Sequence, residues 1–303
     1  MRALFACPLL TPPPLLERIA TQCVQGPMAD FRLSRDGGRT WEEARPNGSA
    51  TGDDNLWGET AAHNHKVKFG APHWVDFGRE LEHSPDGFAY VVAHGASRPS
   101  AIQAWMLGDE IYLARVLPEA EAIQDRRRWQ FYAGGHGSAA RWVEGDVTKA
   151  VPLVTWRNHT GVVTMTYFAP LAKYVLTIST ASHYPSMVQP FDTYFLESDS
   201  ITGPWSYVSY LSEFGPEAYF VHHPSKFLAA RADIANPDGA YFDAFLMYSA
   251  NFASRGSSPQ PPNSGYHMNL QQARFPLSKG FAERLAARYA AEDTAATSMY
   301  SRL

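Results

Sequence analysis

The chain has 303 residues, of which 45% are apolar, 13% aromatic and only 18% charged, with 22 Gly and 22 Pro. That balance supplies a substantial core and suits a turn-rich β protein better than a helical one. A net charge of −4 gives no basic surface for nucleic acid, and no apolar run approaches the ~18 residues of a membrane-spanning helix.

Residues 1–28 carry no strand periodicity and read as an irregular N-terminal segment. Cys7 and Cys23 both fall in it and could pair or remain as thiols. Pro8 and Pro12 to Pro14 break up what would otherwise resemble a secretory leader. Asn47-Gly48-Ser49 and Asn158-His159-Thr160, both glycosylation acceptors, point the other way. Location is therefore secreted on one reading and cytoplasmic on the other.

From residue 29 to 277 short strand-like runs alternate with turn residues, as in an all-β sandwich, barrel or propeller. The predicted strands are 67–77, 88–94, 110–116, 129–132, 162–168, 174–179, 193–198, 205–211, 219–221, 244–250 and 265–275. Ser84-Pro85-Asp86-Gly87, Thr202-Gly203-Pro204 and Pro237-Asp238-Gly239 supply turns with a preset φ, a self-capping carboxylate or a residue tolerant of positive φ. Arg126-Arg127-Arg128 reads as a solvated turn. Residues 278–303 form the last unit. Phe281, Leu285, Ala286 and Tyr289 recur at helical spacing and predict an amphipathic helix over 278–291, followed by a tail.

Ser34-Arg35-Asp36-Gly37-Gly38-Arg39-Thr40-Trp41 matches the Asp-box pattern S-x-D-x-G-x-T-W. It predicts a turn in which Asp36 binds backbone amides, Gly38 is left-handed and Trp41 packs beneath. Such turns are structural in sialidase-type propellers. A longer pattern runs through residues 69–79, 84–95, 109–116 and 129–134. It continues in Phe191-Asp192-Thr193-Tyr194, Ile201-Thr202-Gly203-Pro204-Trp205, Ser225-Lys226-Phe227 and Leu246-Met247-Tyr248-Ser249. Over roughly residues 30–275 this resembles the carbohydrate-active propellers catalogued as domain of unknown function 4185, some of them arabinanase-type glycosidases.

The resemblance implies a five-bladed β-propeller and a glycoside hydrolase acting on a poly- or oligosaccharide, with a monomeric chain as the expected state. Relatives carry an aspartate-rich strand ahead of this region. Nothing in residues 1–28 matches it, and Asp53-Asp54 falls after the Asp-box, so the chain is expected to lack its first blade or blades.

Hydrolysis of a glycoside needs one protonated and one ionised carboxyl across the scissile bond. Asp76, Asp192, Glu197, Glu217 and Asp243 lie in or beside apolar strands, and Asp192 and Asp76 are the leading candidates; Glu59 is another. The rival chemistry uses imidazoles. A hairpin turning near residue 85 would set His94 opposite position 75, with His73 as its near or diagonal neighbour on the same face. Propeller polysaccharide lyases use such a pair with Tyr and Arg, roles that Tyr132 and Arg157 would fill here. Two imidazoles would also suit a divalent metal, although no cofactor motif is identified.

His63-Asn64-His65 reads as a solvent-facing loop, and His222-His223-Pro224 is ambiguous because adjacent strand residues point opposite ways. Lys226 could hold a substrate carboxylate. Trp57, Trp74, Trp105 and Tyr184 could stack on sugar faces, though most of the 8 Trp should be core. A propeller that has lost its carboxylates and only binds glycans is the non-enzymatic alternative.

Overall fold

The structure is a computed structural model and describes residues 2–6, 30–42, 56–59, 68–95, 104–181, 190–216, 218–228, 241–251, 266–287 and 290. Three antiparallel sheets and a two-stranded ribbon follow one another along the chain.

The ribbon joins β1 (Arg2–Ala6) to β2 (Asp30–Ser34). The next sheet contains β3 (Gly70–Trp74), β4 (Ala89–Gly95), β5 (Gly108–Val116), β6 (Gln130–Tyr132) and β7 (Trp142–Glu144), with β8 (Val154–Thr160) also paired to β5. Strands β9 (Val162–Phe168), β10 (Lys173–Ala181), β11 (Pro190–Ser198) and β12 (Ser206–Pro216) make a four-stranded meander. Strands β13 (Tyr219–His222), β14 (Tyr241–Asn251) and β15 (Tyr266–Pro276) make a three-stranded one. Helical turns occupy 279–287.

The sheets stack face to face, which explains why their strands read as nearly unbroken apolar runs. On β4, Tyr90 and Val92 face the β9–β12 sheet and pack with Met165, Leu176 and Ile178. Val91 and Ala93 alternate to the opposite face, against Trp57, Phe69 and Trp129. The β9–β12 sheet is covered on its far side by β13–β15, through Phe168 with Phe242 and through Phe195 with Val221 and Leu246.

The edge strands β3, β9 and β13 meet where the three sheets join. Asp76 forms a parallel bridge with Thr166 just beyond the end of β3. Asp76 N donates to Met165 O at 3.0 Å, and Tyr167 N donates to Asp76 O at 2.9 Å. From the other side, Thr164 Oγ1 donates to Val221 O at 2.6 Å and Thr166 Oγ1 to His223 O at 2.8 Å. Sequence did not suggest β1, β2, β7 or β8, and β1 places a strand inside the segment expected to be irregular.

The turn after β2 is built as its sequence predicts in one respect and not in another. Asp36 Oδ1 accepts from Arg39 N and Thr40 N, both at 2.9 Å, and Gly38 has φ 97°. Trp41, however, is 38% exposed rather than packed beneath the turn.

Candidate functional site

Backbone irregularities aim the side chains at the three-sheet junction. Ala71 has φ 39° where the β3–β4 register shifts, and Phe220 has φ 52° where the β13–β14 register shifts. Positive φ at non-glycine residues and extra residues in a strand re-aim the side chains beyond them. His73 and Phe220 consequently meet with ring centroids 4.8 Å apart.

His222 and His223 then diverge, as neighbours on a strand must. His222 Nε2 lies 3.5 Å from Asp76 Oδ2, and its Nδ1 lies 3.3 Å from Thr166 Oγ1. His223 turns into the core among Phe168, Phe195 and Phe275, at centroid distances of 5.2, 5.6 and 5.4 Å.

Asp76 is the charged centre of the junction. Its Oδ2 accepts from Ser225 N at 2.8 Å and its Oδ1 from Gly78 N at 3.0 Å. Partial burial opposes ionisation, but His222, Ser225 and Gly78 outweigh it and hold the carboxyl well below its usual range. Burial, reinforced by the nearby His222, pushes the His73 imidazole down to about 3, so it is neutral at pH 7. Burial does the same to His223, also to about 3.

Gly78 and Ser225, two of the residues that bind Asp76, also line a cleft of about 540 Å³, together with Arg79, Glu82, His83, Tyr167 and Lys226 among others. Glu82 Oε1 accepts from Arg79 N at 3.0 Å. A Cβ on Gly78 would sit 2.5 Å from that same oxygen. Chained through Gly78 with standard bond lengths, the Asp76 and Glu82 carboxylates are at most roughly 8 Å apart.

The pairing of His94 with position 75 anticipated from sequence is not formed, although His94 is a diagonal neighbour of His73 as expected. His73 pairs with Val92 and His94 with Gly70, which centres the β3–β4 connection at Glu82–His83 rather than near residue 85. The turn around 79–81 takes up the difference. His94 is fully buried, diagonal to His73 rather than opposite position 75. His222 is the imidazole beside His73.

Asp76 and Asp192 are also apart. Asp76 is level with Thr166, Val175 and Glu197, whereas Asp192 pairs with Thr180, five residues further along. At about 3.3 Å per residue and 4.8 Å per strand, the two are roughly 20 Å from each other. They cannot flank one glycosidic bond.

The remaining candidates separate similarly. Tyr132 lies in the core, its hydroxyl donating to Gly135 O at 2.6 Å. Arg157 is exposed on β8. Trp74 packs towards Trp129 at 6.1 Å, and Trp57 is core. Lys226 lines the cleft described above. Asp53, Asp54, His63, His65, Glu217, Tyr184, both cysteines and the side chain of Trp105 lie outside the described residues. Among the described residues no group of three or more His, Cys, Asp or Glu is placed to hold a metal ion. No helix among them is long and apolar enough to cross a membrane.

Sequence reasoning missed Glu82, His222 and Ser225 as a unit with Asp76. Ser225 is 149 residues from Asp76, and no local pattern signals that contact. No protein family, curated protein or solved structure matches this chain.

Proposed function

We propose that the chain is a carbohydrate-active β-propeller working as a glycoside hydrolase at the cleft beside Asp76. The propeller reading is supported by meanders that succeed one another along the chain, with β3, β9 and β13 side by side at the junction and a parallel bridge between Asp76 and Thr166.

The observation that carries the hydrolase reading is the approach of two carboxylates, Asp76 and Glu82, across Gly78. An upper bound of roughly 8 Å between their nearest oxygens puts both within reach of one glycosidic bond. Asp76, held ionised by three donors, is the anionic partner, and Glu82, which lines the cleft, is assigned as the proton donor. Lys226, Tyr167 and His83 would position the sugar.

A second reading rests on the Asp76–His222 contact. An ionised carboxylate that orients an imidazole makes an acid–base unit, and with Lys226 nearby it would suit β-elimination from a uronate.

Incubation of the whole chain with a panel of neutral and acidic polysaccharides separates the two. Hydrolysis releases reducing ends without ultraviolet absorbance and is lost in both Asp76→Asn and Glu82→Gln. Elimination produces an absorbing unsaturated uronate, depends on His222 and tolerates Glu82→Gln. Release of reducing ends that survives Glu82→Gln would sink the hydrolase assignment, and no turnover on any polymer would leave only a binding role.

A further inference from the structure

A second cleft, of about 720 Å³, lies well away from Asp76, between β8 and the outer strands β11 and β12. Its walls are aromatic. Trp156 stacks on His159 at 4.7 Å with 7° between the planes, and Tyr194 meets Trp156 edge-on at 4.8 Å. Tyr194 lies opposite Tyr210 in the β11–β12 register, with the rings stacked at 5.7 Å and 17°.

Local backbone geometry creates this face. The β11–β12 register shifts between Phe195 and Leu196, so that Ser209 pairs with Phe195 but Tyr207 with Leu196. The extra residue puts Tyr207 on the same face as Tyr210, where strict alternation would separate them. Among the described Phe, Trp and Tyr side chains outside the cleft, only Trp41 and Phe227 are exposed, at 38% and 36%, whereas Tyr207 is 55% and Tyr210 50% exposed.

We infer that this cleft is a binding site for a neutral carbohydrate, separate from the Asp76–Glu82 cleft. The lining decides the class of ligand. Flat rings with exposed faces match the C–H faces of a sugar ring, and phenol hydroxyls, Thr155, Ser212 and Asp192 supply edge hydrogen bonds. No Lys or Arg is in the lining, and Asp192 adds negative charge that already raises the pKa of the Tyr194 phenol beyond the effect of burial. Phosphate-bearing and uronate-bearing polymers are disfavoured by that charge. A purely apolar ligand would cover the hydroxyls of Tyr207, Tyr210 and Ser212 without offering them partners.

The site stands on ring geometry and does not need the hydrolase reading. Its role would be to hold a chain that the other cleft cuts, or to anchor the protein on a polymer if nothing is cut.

Calorimetric titration of the full chain with neutral arabino-, xylo-, cello- and galacto-oligosaccharides, with oligogalacturonate as the acidic control, tests the inference. At least one neutral series is expected to bind. Tyr207→Ala and Tyr210→Ala should each weaken binding about tenfold, while Tyr210→Phe keeps most of it because the ring remains. Glu82→Gln should abolish turnover, if there is any, and leave this binding intact, so the two sites fail independently. Three outcomes overturn the assignment: no neutral series binds; binding is indifferent to Tyr207→Ala and Tyr210→Ala; or the chain self-associates in sedimentation and those substitutions make it monomeric, which would make the face a contact between copies.

Discussion

Asp76 Oδ2 lies 3.5 Å from His222 Nε2 and 2.8 Å from Ser225 N, so a single carboxylate at the end of β3 fastens the β3–β8 sheet to the turn that follows β13. The contact crosses the edge of the intervening sheet, where Asp76 is also bridged to Thr166. A carboxylate receiving several hydrogen bonds is worth more to the fold ionised than neutral.

Asp76→Asn should therefore destabilise the protein by about 2 kcal/mol at pH 7, the scale of hydrogen bonds to a charged group. Because the folded pKa is depressed, this stabilisation is complete above the ordinary Asp range and is lost as pH falls below about 4. Urea denaturation of both proteins at pH 7 and again near pH 3 checks the sign. The gap between them must narrow in acid, and a constant gap would mean that Asp76 contributes as a neutral acceptor.

His223 supplies a different acid dependence. Its ring is 1% exposed among three phenylalanines, and burial holds its pKa at about 3. The unfolded chain takes up that proton first, near pH 6.5. Stability is thus full above pH 6.5 and falls by about 1.4 kcal/mol per pH unit, per histidine of this kind, as pH drops towards 3. His73 adds a second such group. His223→Leu retains the apolar packing and should remove about one proton's worth of slope between pH 6 and 4. An unchanged slope would place a protonated imidazole inside the aromatic cage.

The features legible in the sequence are the local ones. All eleven strands anticipated from alternation and turns are present, as is the helix after residue 278, because apolar period and turn chemistry act over a few residues. Strands β7 and β8 were missed. Trp142–Glu144 is only three residues long, and Val154–Thr160 carries Arg157, Asn158 and His159 on an exposed outer strand. The site was less legible. Asp76, His73 and Lys226 were singled out, but the contact of Asp76 with His222 and its approach to Glu82 depend on positive φ at Phe220 and on a long β3–β4 connection. The aromatic cleft depends on a bulge near Val208 that no turn residue announces.

Arg115 tests how the Ser84–Gly87 turn ahead of β4 is fixed. Its Nη1 donates to Asp86 Oδ2 and its Nε to Gln130 Oε1, both at 2.7 Å. Its guanidinium also lies 4.1 Å from the Trp142 ring centroid and 4.6 Å from that of Phe88. Lysine keeps the charge but loses the flat stack and the two-way donation. Arg115→Lys should lower stability by about 1–2 kcal/mol, read as a fall in thermal midpoint. Equal midpoints would reduce the contact to a screened surface pair.

Glu59 acts in the opposite pH direction. Its carboxylate is buried and accepts from Lys68 N and Phe69 N. Those donors do not offset desolvation, and burial pushes the pKa up to about 7 from 4.5. The folded chain therefore holds this proton over a range where the unfolded chain has released it. Stability falls by up to about 1.4 kcal/mol per unit as pH rises from 4.5 to 7 and is level above that. Glu59→Gln carries no charge at any pH and forfeits one of the two backbone hydrogen bonds. It should be less stable than the wild type near pH 5 and recover relative to it by pH 8. Denaturation curves at those two values decide the matter, since a variant that stays equally far below the wild type would show that the ionised carboxylate is already satisfied in the folded chain.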